Sequence, residues 1–491
     1  MGSASVPVRP LLRPELTSVT YHERYSLMRQ NTGFRHIILW VVTYPSASLP
    51  PRAELEARVE ALQSAQPILH ARLSGTDTNK PGYVEGAPWP GSAIVRQFEG
   101  AYSGGEPEES LQVYRAEMER FSSEPLDGPM WCVGLYSKPG AERSYLTLAF
   151  NHLVIDGRGS SLLLTALQDG SDIPEETLFS PTRADDTIPM TPTLRFLAPI
   201  VFRELLLPKF PLWVQAPFTK DDPWPGHAVE KAPFDVPQDI RLLSLTPEEV
   251  KDLKVHSKAN GVKTLHPLLK AAYMVAIWYV HAGRGTAKVA AKVEGRPPLR
   301  LGAATARDER DAKLGHSALA HNYVTSTEVH HVLSGEQQWW PFAAQLSGEL
   351  SSDQGLQDGR MTISLLGHVP DPDIPASKRD PALPTGWEQY FHARAASPTP
   401  YRESLTVSNL GLVKLPPGAS DMIWGQTASP YGAPYYANIV GHEGGIRITS
   451  TYREGSVTDT AHMEEVHEVM RRILNRVAKG EAKMTLEEIA A

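Results

Sequence analysis

His152, Asp156 and Gly157 stand in the order H-x-x-x-D-G and are the residues of this chain best equipped for acid–base chemistry. An unperturbed imidazole titrates near neutrality, so a positioned histidine can take a proton from a hydroxyl or amine. The setting supports such a role. Residues 145–150 (Tyr-Leu-Thr-Leu-Ala-Phe) form an apolar run that reads as a buried strand, and Leu162-Leu163-Leu164 opens a helix just beyond the glycine. A side chain at a strand–turn–helix junction is held rigidly and can still face a cavity. On letters alone a second reading stays open, in which a strand-end histidine merely pairs with a nearby aspartate.

The elements that must position this motif alternate between helix and strand. Residues 17–30 predict a polar first helix carrying Tyr21, His22, Arg24 and Arg29, stopped by Gly33. A strand is expected over 36–43, and a helix over 52–66 with Leu55, Val59 and Leu62 at helical spacing. Residues 109–121 predict a polar helix, and 131–136 with 145–150 a hairpin pair around Lys138-Pro139-Gly140. Prolines then crowd the chain from Pro192 to Pro237, as in a long crossover. Beyond it a strand is expected over 240–245, and Thr246-Pro247 starts a helix. A helix over 265–279, apolar on nearly every face, should be buried. The stretch 286–333 reads as strand-like, 337–350 as helix, 370–400 as a proline-rich loop, 405–407 and 445–451 as strands, and 460–477 as an amphipathic helix.

Bulk properties exclude several classes. At 491 residues the chain is long enough for two or three domains. The boundaries read as an N-terminal domain over 1–185, a crossover over 186–240 and a C-terminal domain over 241–491. A net charge of −8 leaves no basic footprint for nucleic acid. Cys132 is the only cysteine, so neither an internal disulfide nor a cysteine-built metal centre can form, which fits a reducing, cytoplasmic setting. Residues 1–15 lack the apolar segment of a secretory signal, and Val6 breaks the myristoylation pattern. The most apolar region, 194–214, is interrupted by Arg195, Pro199, Arg203, Pro208 and Pro211 and cannot span a bilayer. It reads as a covered interdomain segment, with contact to a membrane surface as the alternative.

One element of the second half could complete the chemistry. Ser408 and Asn409 follow the short strand 405–407 in Ser-Asn-Leu-Gly and could donate hydrogen bonds to a developing oxyanion. The competing reading is a plain turn, since these residue types favour turns. His330-His331 lacks a carboxylate set suited to a metal. Gly283-Arg284-Gly285 follows a helix and is no phosphate cradle, and no G-x-S-x-G elbow marks a serine hydrolase.

The order of polar helix, strand, Pro67-Ile68-Leu69, Gly128-Pro129 with Trp131, H-x-x-x-D-G, crossover and Ser408–Gly411 resembles the H-x-x-x-D acyltransferases. Within them it looks most like fungal alcohol O-acetyltransferases, with plant BAHD enzymes and condensation domains as more distant relatives. The resemblance implies an α/β fold of two chloramphenicol-acetyltransferase-like domains, a pseudo-dimer with a tunnel between them. It implies His152 as general base, with Asp156 turned away from substrate and holding the Gly157 loop through an arginine of the second domain. Arg307 is the candidate partner, and Arg310 the alternative. Asn322 resembles a strand residue near the tunnel. Asp421-Met422-Ile423-Trp424-Gly425 keeps part of a BAHD motif that is structural and remote from the chemistry in that family.

Acetyl-CoA or another acyl-CoA would be a co-substrate, with no tightly bound cofactor and no metal. The partner would be a small alcohol, and the protein a monomer. Two rival functions share these residues: a condensation-like or cyclising enzyme drawing on a carrier-protein thioester, and a non-catalytic binder that keeps the tunnel without turnover.

Overall fold

The computed structural model describes residues 18–100, 102–169, 183–211, 213, 223–226, 228–282, 296–316 and 320–491. The N-terminal segment 1–15 and Gly283-Arg284-Gly285 lie outside them.

Two mixed sheets organise the chain. The first has five strands in the order β11-β1-β6-β5-β4: β1 (Ile37–Pro45), β4 (Val95–Glu99), β5 (Trp131–Ser137), β6 (Arg143–Asn151) and β11 (Asp421–Gln426). The second has six, in the order β7-β13-β12-β10-β8-β9: β7 (Gln238–Leu245), β8 (Leu299–Asp308), β9 (Val324–Leu333), β10 (Leu405–Leu412), β12 (Tyr435–His442) and β13 (Gly445–Arg453). A small hairpin pairs β2 (Arg72–Ser74) with β3 (Gly82–Val84).

The first sheet is covered on both faces, which explains the unbroken apolar run of β1. Ile38, Trp40 and Val42 pack with Leu55, Val59 and Leu62 of the helix Arg52–Ala65 and with Leu163, Leu164 and Leu167 of the helix Gly157–Asp169. The alternate residues Ile37, Leu39 and Val41 face Leu111, Tyr114, Met118 and Phe121 of the helix Glu108–Ser122. Period-two alternation thus feeds two separate cores from one strand. The second sheet wraps the helix Leu265–His281, almost wholly buried as its composition requires.

Sheets and chain halves do not coincide. Strand β11 leaves the second half between β10 and β12 and pairs antiparallel with β1, placing Trp424 opposite Trp40 and Gln426 opposite Ile38. The division at 185 and 241 therefore misses that the first sheet takes its edge strand from residues 421–426. An apolar strand of this kind covers a sheet edge that would otherwise stay open.

Two further expectations are corrected. The stretch 370–400 contains a helix, Gly386–Ala395, started by a capping box in which Thr385 accepts from a backbone N–H and Glu388 returns the bond. Flanking prolines masked that signal. Among its described residues the stretch 194–214 is only partly covered: Leu207 is buried, whereas Leu194 is 85% exposed and Trp213 78%. Among the described residues no helix is long and apolar enough to cross a membrane.

Candidate active site

Strand β6 ends at Asn151, so His152 emerges where two helices and both sheets converge on a cavity of about 1480 Å³. Its backbone N–H donates to the His36 carbonyl at 2.7 Å, tying it to the entry of β1. His152, Asp156, Gly157, Ser408 and Asn409 all line this one cavity.

The protonation pattern of His152 follows from Asn322. The Asn322 amide nitrogen donates to two backbone carbonyls, those of His152 and Leu153, each at 3.0 Å. That fixes the amide orientation, so its oxygen, 2.9 Å from His152 Nδ1, must accept. Nδ1 therefore carries the hydrogen, and Nε2 keeps a lone pair. Burial pushes the imidazole down to about 4, against the opposing field of Asp156 and the bond to Asn322, so at neutral pH the ring is uncharged. Asn322 thus orients this ring.

Asp156 does not face the cavity as a free acid. Its Oδ2 accepts from Arg310 Nη1 at 2.7 Å and from the Tyr323 N–H at 2.8 Å, and its Oδ1 accepts from the Gly159 N–H at 2.8 Å. Burial favours the neutral acid, but the charge and hydrogen bonds of Arg310, with those of Gly159 and Tyr323, win and hold the carboxyl below its usual range. Arg310 Nη2 also donates to the carbonyls of Ala320 and His321. A parallel bridge between Ile155 and His321 completes the clamp, with His321 in the left-handed region at φ 67°. Arg307, the first candidate for the partner of Asp156, instead donates to the Leu350 carbonyl at 3.2 Å. It sits within β8, whereas Arg310 lies past the strand end, where the chain turns back toward residues 320–323.

Gly157 begins the helix that follows. A Cβ there would sit 3.0 Å from Leu410 Cδ2 and 3.6 Å from the Trp424 ring, so the glycine lets the second sheet approach the loop.

Ser408 and Asn409 are not a plain turn. Strand β10 continues through both to Leu412, with a register shift after Asn409 and Gly411 at φ +70°. Their polar groups are unequally committed. Asn409 Oδ1 accepts from the Gly411 N–H at 2.8 Å and its nitrogen lies 3.2 Å from His266 Nδ1. Ser408 Oγ accepts from Gln426 Nε2 at 3.1 Å, which leaves its own hydrogen to point elsewhere.

Three cavity residues escaped sequence reasoning. His22 and His36 bracket His152, with ring centroids 4.6 and 4.2 Å from its own. His36 Nδ1 lies 3.0 Å from Ser26 Oγ. Gln426 lines the same cavity beside Trp424, so the 421–425 motif reaches the cavity wall. A signal for His22 did exist: His22, Tyr25 and Arg29 recur on one face of an otherwise polar helix, and the structure turns that face to the cavity. His330 and His331 point to opposite faces of β9, where each meets its own carboxylate, Glu328 at 2.9 Å and Glu349 at 2.8 Å. Among the described residues no group of three or more histidine, cysteine or acidic side chains could hold a metal.

No family model matches the chain, and no curated protein matches it in sequence. Solved structures do match. The trichothecene 15-O-acetyltransferase TRI3 from Fusarium sporotrichioides superposes with a TM-score of 0.60 at 12% identity, over 96% of this chain and 99% of that one. The first condensation domain of the CDA synthetase gives 0.57 at 16% identity, over 96% and 98%. The condensation domain of the monacolin K polyketide synthase MokA gives 0.61 at 10%, over 96% and 98%. The fold is that of condensation and acyltransferase domains. The likeness runs through both sheets, since nearly the whole of each chain is covered.

The three neutral, buried histidines carry a stability prediction. Burial holds His22, His36 and His152 below the ordinary histidine range, and the charge that His152 would carry lowers the other two further. Below a pH of about 6.5 the unfolded chain binds protons that the folded chain refuses. Stability is thus fully present above that value and is lost as the pH falls through the depressed folded values, about 4 for His152. A series of melting curves over this range should show a steep loss on acidification, shallower in His22→Phe.

Proposed function

We propose that this protein is an acyl-CoA-dependent O-acyltransferase, using acetyl-CoA to acetylate an alcohol of secondary metabolism. The observation that carries the reading is the His152–Asn322 pair: it presents a neutral imidazole with its Nε2 lone pair available in a cavity large enough for two substrates. The printed activity of one structural neighbour, O-acetyl transfer, is in keeping with it.

In this mechanism His152 Nε2 takes the acceptor hydroxyl proton while the oxygen attacks the thioester carbonyl. The tetrahedral oxyanion is stabilised by the Ser408 hydroxyl, with Asn409 beside it. The intermediate collapses by breaking the C–S bond, and the imidazolium returns its proton to the departing thiolate, giving ester and free CoA thiol. Asp156, locked to Arg310, favours the imidazolium at that moment through its field. Neither a metal nor a covalent enzyme intermediate takes part. Asp156 is thus a positioning residue, and His152 the catalytic one.

Incubation with acetyl-CoA and a panel of candidate alcohols should give a product heavier by one acetyl group, with one thiol released per product. The condensation-like reading is favoured by two of the structural neighbours. It predicts the opposite: no consumption of free acetyl-CoA, and product only when the acyl group is presented on a carrier protein.

A further inference from the structure

We infer that the acceptor carries a carboxylate, bound in this cavity by Arg394, with Arg29 lining the same cavity. The inference rests on the acyl-transfer reading, since it assigns a property to that reaction's second substrate.

Two adjoining helices supply the site. Helix Tyr21–Asn31 turns Arg29 inward, one turn beyond Tyr25. Helix Gly386–Ala395 turns Arg394 inward from the other side. The helices are fastened together by Arg24, which pairs with Glu388 at 3.2 Å and Asp371 at 3.5 Å, and by the edge-on packing of Phe391 against Tyr25 at 5.2 Å. The guanidinium groups are therefore held on a rigid support.

Arg29 is 2% exposed, and its Nη2 donates to the carbonyl and hydroxyl of Thr427 at 3.3 and 3.1 Å. The Nε atoms of both arginines are buried with no hydrogen-bond partner. Among the described residues no carboxylate forms an ion pair with either. Their surroundings are tyrosines instead, Tyr25, Tyr431 and Tyr436 about Arg29, and Tyr25 with Tyr390 about Arg394. A buried cation without an anion is costly. Burial depresses both guanidinium groups, and Arg402 depresses that of Arg394 further.

Glu403, the acid that acts on Arg394, does not relieve the imbalance. Glu403 favours the Arg394 cation but forms no ion pair with it, and burial with the neighbouring Glu328 pushes its own carboxyl up, towards the neutral acid. A ligand carboxylate answers the arrangement: it matches the planar fork of a guanidinium and restores the missing charge.

Phosphates of a CoA donor would satisfy the same forks, so the test must separate the two anions. Titration calorimetry would use 4-hydroxycinnamate and 12-hydroxystearate, the methyl ester of each, and CoA, against the parent, Arg394→Gln and Arg394→Lys. The parent should bind at least one acid about tenfold or more tightly than its ester, the worth of a charge-assisted pair. R394Q should abolish that preference by weakening the acid alone, R394K should keep part of it, and CoA affinity should stay unchanged throughout. Equal binding of acid and ester by the parent, binding of neither acid, or a loss in R394Q that falls on CoA would each overturn the inference. The parent comparison needs no variant, so a misfolded R394Q would not rescue it. Because calorimetry reads binding without turnover, an acid preference without acetylated product would sink the transfer reading and leave the carboxylate site standing.

Discussion

His152→Ala is expected to fold and to lose acyl transfer by roughly 10²- to 10⁴-fold, the range for removal of a general base. The loss should appear in kcat, because the ring meets its proton only as the acceptor attacks. Asn322 would be left with its oxygen unpaired, but its nitrogen still bonds the two loop carbonyls, so the loop keeps its path. The pH profile offers a second check. The uncharged ring is the competent form and burial holds it so down to about 4, so the acid limb of kcat/KM in the parent should fall well below the ordinary histidine value near 6.5. A folded H152A protein with near-parental turnover would end the proposed mechanism.

Asp156→Asn is expected to damage both stability and activity. Asp156 and Arg310 are almost fully buried, with side chains 4% and 10% exposed. Removing the Asp156 charge leaves Arg310 only its more exposed second partner, Asp308 at 3.0 Å, and breaking a buried pair costs about 3–5 kcal/mol. Because the carboxyl is held below its usual range, its contribution is present at neutral pH and disappears as pH falls through the carboxylate range. The variant should melt lower than its parent at neutral pH, with the gap closing on acidification. Arg310→Ala should reproduce the defect, whereas Arg307→Ala, which loses one bond to the Leu350 carbonyl, should change melting little. Parental melting of both D156N and R310A would show that the clamp does not hold the loop.

The contrast between Arg307 and Arg310 shows where sequence reasoning stops. Both lie near the end of one strand, and nothing in their spacing from Asp156 separates them. Only the return of residues 320–323 alongside the H-x-x-x-D-G loop selects Arg310. The same long-range contact turns Asn322 onto His152 from 170 residues away.

What the sequence determined by itself is what local patterning controls. The apolar run of β6, the glycine after Asp156 and the leucines beyond it specify a strand, a turn and a helix, and so the place where His152 must emerge. The uniformly apolar stretch that became helix Leu265–His281 likewise announced its own burial. Tertiary structure alone decided the rest. Strand β11 crosses to the first sheet because the edge of β1 needs pairing, a demand that no local pattern records. That crossing brings Trp424 and Gln426 to the cavity, just as helix docking brings His22, Arg29 and Arg394 there. Polar residues on a helix read as solvated surface until the surface they face proves to be the wall of a cavity.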